Sequence, residues 1–337
     1  MRAWVLPGGK TGIDSLELRE LPDPRPGPGE VLIRPRAWSL NYRDQMVLGG
    51  AYISGALSED AIPLSDGVGE VVAVGAGVTA FKPGDRVAGT FHQNWEDGPV
   101  PADPGPSLGD GIASGMLAEL VTLPERGVIH MAANLDYAQA ATLPCAGVTA
   151  WNALFEGPQP VKPGQKVLLL GTGGVSILAL QLAAAAGAVT IITSSSDEKL
   201  ARAKALGATH TINYRDTPDW GNEVFARFGG ADKVVEVGGA GTLETSLMAA
   251  APNGEVAMIG VLQPEGGPNP VWLILRQSSL RGIFVGSAGM ARRLNAGIEA
   301  NGIQPVVGAR FAFEDARAAY AHAVSKDAFA KTVIELG

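Results

Sequence analysis

The stretch Val167-Leu168-Leu169-Leu170-Gly171-Thr172-Gly173-Gly174-Val175-Ser176 runs four apolar residues of strand length into a glycine-rich turn. Residues 177–186 follow as an apolar block of helix length, interrupted only by Gln181. A strand that turns on glycines into a helix lets backbone approach a pyrophosphate, whose charge meets the free N–H groups of the helix N-terminus. Gly171, Gly173, Gly174, Val175 and Ser176 are therefore candidate cofactor-binding residues. Ser176 fills the last position of the G-x-G-x-x-G pattern, where a small residue keeps helix and strand close. The competing reading is a tight strand–helix connection without a ligand. The strand–turn–helix context favours the dinucleotide site.

Outward from this turn, no charged side chain occurs between Lys166 and Asp197, a length that could span a bilayer. Gly171, Gly173, Gly174, Gly187 and Gln181 cut it into strand, helix and strand lengths. A buried β-α-β unit explains the breaks, because parallel strands covered on both faces need no polar alternation. No membrane partner is expected. The pattern continues with strands at 167–170, 189–193, 211–213, 234–237, 255–259 and 283–285, and helices at 174–186, 197–206, 219–227 and 243–250. Such alternation predicts an α/β fold with a doubly wound parallel sheet.

Residues 1–130 read differently. Short strands at 2–6, 30–37, 69–74, 85–88, 118–123 and 128–131 are separated by Pro- and Gly-rich turns, which predicts a barrel-like β domain. The segment 94–111 reads as a surface loop without a packing signal. The tail offers a helix at 313–324 and a last strand at 332–335.

The second strand of the parallel sheet ends in Thr193-Ser194-Ser195-Ser196-Asp197-Glu198-Lys199. A dinucleotide fold that selects NAD(H) carries an acid near this point for the ribose 2′-hydroxyl. Ser194 stands there instead, and hydroxyls with the Lys199 ammonium suit a 2′-phosphate, so NADP(H) is favoured over NAD(H). Two alternatives stay open: the serines cap the next helix, or Asp197, one position into that helix, acts as the acid.

The chain has 337 residues, about two domains' worth, and a net charge of −8 from 26 basic and 34 acidic side chains. The acidic balance and the absence of Lys/Arg clusters argue against nucleic acid as a partner. A single cysteine excludes a disulfide framework and multi-cysteine metal sites, and fits a reduced, cytoplasmic setting. After Met1-Arg2 only four apolar residues precede Pro7, which does not read as a signal peptide. His92, His130, His210 and His322 are scattered, and no nucleophile elbow is visible.

Several ordered segments carry a family resemblance. They are Ser39-Leu40-Asn41-Tyr42-Arg43-Asp44, the stretch Asp66-Gly67-Val68-Gly69-Glu70-Val71-Val72-Ala73-Val74-Gly75, and Phe81-Lys82-Pro83-Gly84-Asp85-Arg86-Val87. Leu143-Pro144-Cys145-Ala146-Gly147-Val148-Thr149-Ala150-Trp151, the Gly171 turn and Leu280-Arg281-Gly282-Ile283 follow. Together they resemble the medium-chain dehydrogenase/reductase superfamily, in its zinc-independent, quinone-oxidoreductase-like branch. The resemblance implies a GroES-like β-barrel catalytic domain from 1–130 and 287–337, with a Rossmann NADP-binding domain at 131–286.

Zinc-dependent relatives bind a catalytic metal at positions that here carry Asn41, Ser65-Asp66 and Cys145, and the four-cysteine structural lobe is missing. The resemblance therefore implies no metal, with Cys145 a small packing residue or a reactive thiol. It places Asn41 and Thr149 at the nicotinamide. Tyr42 and Tyr52 become candidates to line the substrate pocket or donate to a developing oxyanion. Lys199 and Tyr214 fall beside the adenosine phosphate, Gly238, Gly260, Val261, Phe284 and Val285 along the cofactor, and Lys331 near its phosphates. Ala330 stands where relatives carry glycine. Arg43 stands where zinc enzymes carry a proton-relay hydroxyl. The implied activity is NADPH-dependent hydride transfer to a quinone, enone or related activated carbonyl. The alternatives are an NADP-linked alcohol dehydrogenase or aldehyde reductase, and an NADPH-binding protein with little turnover. Residues 270–285 resemble a dimer edge, which implies a homodimer.

Overall fold

The computed structural model describes every residue except Ser54 and 261–266. The chain divides into two compact units, Met1–Val148 with Gly286–Gly337, and Thr149–Val285. The first unit opens with strands β1 (Arg2–Val5), β2 (Glu17–Glu20), β3 (Glu30–Ser39), β4 (Asp66–Val74), β5 (Arg86–Gly89), β6 (Val121–Pro124) and β7 (Val128–His130). The second contributes β8 (Lys166–Leu169), β9 (Val189–Ser194), β10 (His210–Asn213), β11 (Ala231–Glu236), β12 (Ala250–Met258) and β13 (Ser279–Gly282). Strands β14 (Val307–Ala312) and β15 (Lys331–Glu335) return to the first unit.

In the first unit, β3 is the hub of a sheet ordered β14-β15-β3-β4-β5-β7, with β6 also pairing β3. The alternation of Val31, Ile33 and Ala37 turns one face of β3 inward. Trp38 stacks on Phe313 with ring centroids 5.0 Å apart, and Trp4 Nε1 donates to the Phe313 carbonyl at 2.8 Å. Phe313 and Tyr320, both fully buried, thus complete a core begun by the N-terminal strands. Each such side chain contributes about 1.5–3 kcal/mol of burial free energy, which holds the distant chain segments in one unit.

Some expectations need correction. Residues 131–148, expected with the Rossmann domain, belong to the first unit. Helix Tyr137–Ala141 packs on β3, β4 and β15, and the Ser39 hydroxyl lies 2.7 Å from the Ala141 carbonyl. The loop 94–111 is not unpacked: Trp95 and Leu108 are buried. Arg43 fastens this loop, donating to the Leu108 carbonyl at 2.8 Å and the Ser107 hydroxyl at 3.1 Å. Helices Tyr42–Leu48 and Ala288–Asn301, and strands β2 and β14, were not anticipated.

The second unit is a six-stranded parallel sheet ordered β10-β9-β8-β11-β12-β13. Strand order reverses between β8 and β11, which makes a topological switch point at their C-terminal ends. Helices Gly174–Ala185, Asp197–Ala205, Trp220–Phe228, Ala240–Ala249 and Val271–Arg276 alternate with the strands. Residues 283–285 do not form the expected strand, because the last strand ends at Gly282. Ile283 still donates to the Met258 carbonyl at 2.8 Å, and Val285 then takes a positive φ of 50°. No helix among the described residues is long and apolar enough to cross a membrane.

Candidate functional site

The sequence-defining turn forms directly after β8. Gly171 adopts φ +71°, a conformation that side chains disfavour, and its N–H donates to Thr193 Oγ1 at 3.3 Å. Gly173 precedes helix Gly174–Ala185 without a side-chain cap, and open space surrounds the position where its Cβ would stand. Among the described residues no side chain caps this helix, and with the half-buried Gly174 and Val175 its N-terminus suits a phosphate pair. Ser176 is buried, and its hydroxyl donates to the Leu170 carbonyl at 2.6 Å. It closes the turn from within.

At the ends of β9 and β10 the serines divide their work. Ser196 Oγ accepts from Lys199 N–H at 3.3 Å and caps helix Asp197–Ala205. Ser194 Oγ accepts from Ser196 N–H, and the Ser194 carbonyl accepts from Tyr214 N–H at 3.1 Å. The structure thus brings Ser194 and the exposed Tyr214 together, with Lys199 in the first turn of the helix. The Asp197 carboxylate is held by Asn213 Nδ2 at 2.8 Å.

The sequence reading missed Glu236, the fully buried last residue of β11. Its carboxylate accepts from Gly238 N–H at 2.6 Å, Gly239 N–H at 3.0 Å, the Thr242 hydroxyl at 2.7 Å and the Ser246 hydroxyl. It thereby fixes the turn that carries Gly238. Two residues beyond β12, Gly260 lies so close to Val237 that a Cβ would fall 1.7 Å from the Val237 carbonyl oxygen. Phe284 and Val285 stand just beyond β13, Phe284 exposed. Val261 lies outside the described residues. Gly171, Ser194, Gly238, Gly260 and Phe284 all lie at or just beyond C-terminal strand ends, the side of a parallel sheet where ligands bind.

A second cluster lies in the first unit, where helix Tyr42–Leu48 leaves β3. Asn41 precedes this helix, and its N–H donates to Asp44 Oδ2 at 2.7 Å. Asn41 Oδ1 accepts from Lys331 Nζ at 2.6 Å, and the same ammonium donates to the Leu40 carbonyl. Lys331 is 3% exposed and also lies 3.8 Å from Asp66 Oδ2. The fully buried Asp66 is held by the Ser65 hydroxyl at 2.8 Å and lies 3.1 Å from Ser39 Oγ. Asn41 Nδ2 makes a long 3.4 Å contact with Ser65 Oγ.

Lys331, expected near the cofactor phosphates, is buried at the first position of β15, where its backbone pairs with Val307 of β14. Its ammonium is committed to Leu40, Asn41 and Asp66. Arg43 is likewise buried, with its guanidinium 4.6 Å from the Tyr52 ring and 5.1 Å from the Phe91 ring. Tyr42 is exposed and Tyr52 half-buried. Thr149 is buried at the start of the second unit.

Burial pushes the Asp44 carboxyl up to about 6, with Arg43 opposing and Asp66 adding to the rise. Burial also pushes the Cys145 thiol up, and the nearby Asp66 charge acts in the same direction. A zinc ion needs a thiolate and soft or nitrogen donors. At the positions where zinc-dependent relatives bind metal, this chain offers a lone thiol, an amide and a carboxylate beside an ammonium. A dication there would sit against Lys331, so the donor set does not fit zinc.

Comparison with known proteins places these units in context. A family model described as "Alcohol dehydrogenase GroES-like domain" matches residues 27–133, and one described as "Zinc-binding dehydrogenase" matches 174–299. A zinc-type alcohol dehydrogenase-like protein of Schizosaccharomyces pombe is 44% identical over 97% of this chain and 96% of its own length. An NADPH-dependent alkenal/one oxidoreductase of Arabidopsis thaliana is 29% identical over 99% of this chain and 79% of its own. The solved structure of a quinone oxidoreductase from Pseudomonas syringae superposes with a TM-score of 0.81 at 31% identity, covering 99% of this chain and all of that one.

Proposed function

The chain belongs to the medium-chain dehydrogenase/reductase superfamily, in its quinone-oxidoreductase-like branch, and from that premise we propose that it is a zinc-independent NADPH-dependent reductase of quinones, enones or related activated carbonyls. The observation that carries this reading is the Lys331 ammonium bonded to Asn41 beside Asp66, where a dehydrogenase that uses zinc would need room and ligands for a cation.

Bound NADPH supplies a hydride to an electrophilic carbon. The turn at Gly171, Gly173 and Gly174 would hold its pyrophosphate, and Ser194, Lys199 and Tyr214 would hold its 2′-phosphate. Gly238, Gly260, Phe284 and Val285 would line the rest of the cofactor, with Thr149 toward its nicotinamide end. Asn41 supplies an N–H donor to the acceptor oxygen as it gains negative charge, and Tyr42 and Tyr52 line the acceptor pocket. A conjugated acceptor spreads that charge itself, so neutral donors suffice where a simple alcohol would call for a Lewis acid.

The protein further pairs with a second copy along β13. That strand is the sheet edge, and Ile274 and Leu275 beside it are 75% and 63% exposed.

The test is NADPH oxidation with a panel of quinones, enones and enals, run beside NADP⁺ with simple alcohols. Turnover of the conjugated acceptors supports the proposal, and turnover of the alcohols alone favours the NADP-linked alcohol dehydrogenase. Tight NADPH binding without any turnover favours a cofactor-binding protein.

A further inference from the structure

A side-chain amide fits its density of neighbours in two ways, 180° apart, and its neighbours choose between them. An ammonium can only donate. With Lys331 Nζ 2.6 Å from the Asn41 amide, only Oδ1 can face it; the reverse orientation would set NH₂ against NH₃⁺. Resting on the reading of Asn41 as the donor to the acceptor, we infer that Lys331 is a positioning residue, which locks the Asn41 amide with Oδ1 inward and so leaves Nδ2 as the end that meets the substrate oxygen.

Three features make the lock rigid. Lys331 begins β15, its backbone paired with Val307 of β14, and from Val333 the strand also pairs β3. The ammonium also holds the Leu40 carbonyl, and Asp44 holds the Asn41 N–H, so residues 40 and 41 are fixed through backbone as well as side chain. Asp66, itself bonded by Ser65, lies on the remaining side of the ammonium. A cation bonded to an amide oxygen draws electron density from its nitrogen. The Nδ2 protons thereby become stronger donors, and the charge reaches the substrate through Asn41 rather than by direct contact.

The bland alternative is that Lys331 only neutralises buried Asp66. Three variants separate the two: Asp66→Asn, the double variant Lys331→Met/Asp66→Asn, and Asn41→Asp. The double variant removes the ammonium without stranding a buried carboxylate, and Asn41→Asp keeps a partner for Lys331 while deleting the NH₂. Two readouts are taken. The first is the Asn41 side-chain NH₂ resonance by ¹⁵N NMR, identified by its loss in Asn41→Asp. The second is kcat and KM with the best acceptor.

The inference expects the NH₂ resonance to hold its position in Asp66→Asn and to shift, with faster proton exchange, in the double variant. It expects kcat in the double variant and in Asn41→Asp to fall about tenfold or more below Asp66→Asn, with NADPH affinity unchanged. A double variant whose Asn41 resonance and kcat both match Asp66→Asn overturns it. The resonance reads the lock whether or not an acceptor is turned over. A wild-type protein that turns over nothing therefore counts against the reductase reading alone.

Discussion

Asn152 Nδ2 donates to the Val285 carbonyl at 2.8 Å and so ties helix Val148–Phe155 to the last residue of the second unit. Val285 is β-branched and sits at φ +50°, a conformation that costs about 1–3 kcal/mol and persists only where neighbours impose it. Asn152 is itself held, its Oδ1 accepting from Arg281 Nη1 at 3.1 Å. Asn152→Ala should lower unfolding free energy by about 1–3 kcal/mol, by the loss of a buried hydrogen-bonded group. Urea denaturation of the two proteins checks this. An unchanged midpoint would show that the Val285 conformation needs no clasp.

Glu255 lies between Lys233 and Arg281, bonded to the lysine and 3.1 Å from Arg281 Nε. Burial pulls the Lys233 pKa down, while the bond to Glu255 holds the proton on. Glu255→Ala leaves that lysine buried without its partner and should cost about 3–5 kcal/mol. Replacing the carboxylate by Gln should cost less, because a hydrogen-bond acceptor remains. Equal stability of the Ala and Gln variants, by chemical denaturation, would count against a charge effect.

Asp44 gives a pH dependence. Its folded pKa of about 6 exceeds the unfolded value of 3.8, so the fold favours the protonated form. The associated stability is fully present below about pH 4 and is lost as pH rises through 6, amounting to about 3 kcal/mol. Arg43, Asp66 and Lys331 all act on this carboxyl, as does the Asn41 N–H that it accepts. Asp44→Asn removes the dependence. The stability difference between variant and wild type should therefore move in the variant's favour from pH 4 to pH 7. Parallel curves for the two proteins would contradict the assignment.

The serines at the end of β9 predict two separable phenotypes. Ser194→Asp places a carboxylate where a 2′-phosphate would lie and should shift the NADPH/NADH affinity ratio toward NADH by about tenfold or more. Ser196→Ala removes the helix cap and should cost about 0.5–2 kcal/mol of stability while leaving that ratio alone. Fluorescence titration of both cofactors reads the first, and thermal unfolding the second.

These contrasts also show what could be read from residues alone. The parallel sheet was legible because apolar runs of strand and helix length alternate around Gly171. The capping role of the serines was legible too, since one of them had to serve the next helix. The bonds of Lys331 to Asn41 and to the Leu40 carbonyl left no local signal, because their partners lie 290 and 291 positions away. Glu236 left a faint signal, a strand-end acid followed by Gly238-Gly239 and Thr242, but its partners span nine residues of turn and helix. Asp66 and Lys331 lie 265 positions apart in the numbering, and only the returning chain end brings them together. Leu108, buried within loop 94–111, likewise depends on Arg43, 65 positions away, which donates to its carbonyl.

Reduction without a metal is open to test on the purified protein. The purified protein is stripped with a strong chelator, its zinc content determined, and its NADPH-dependent reduction of the best conjugated acceptor followed before and after. Zinc far below one ion per chain and an unchanged rate are expected. Activity that disappears with the metal and returns on adding Zn²⁺ would contradict metal-free reduction.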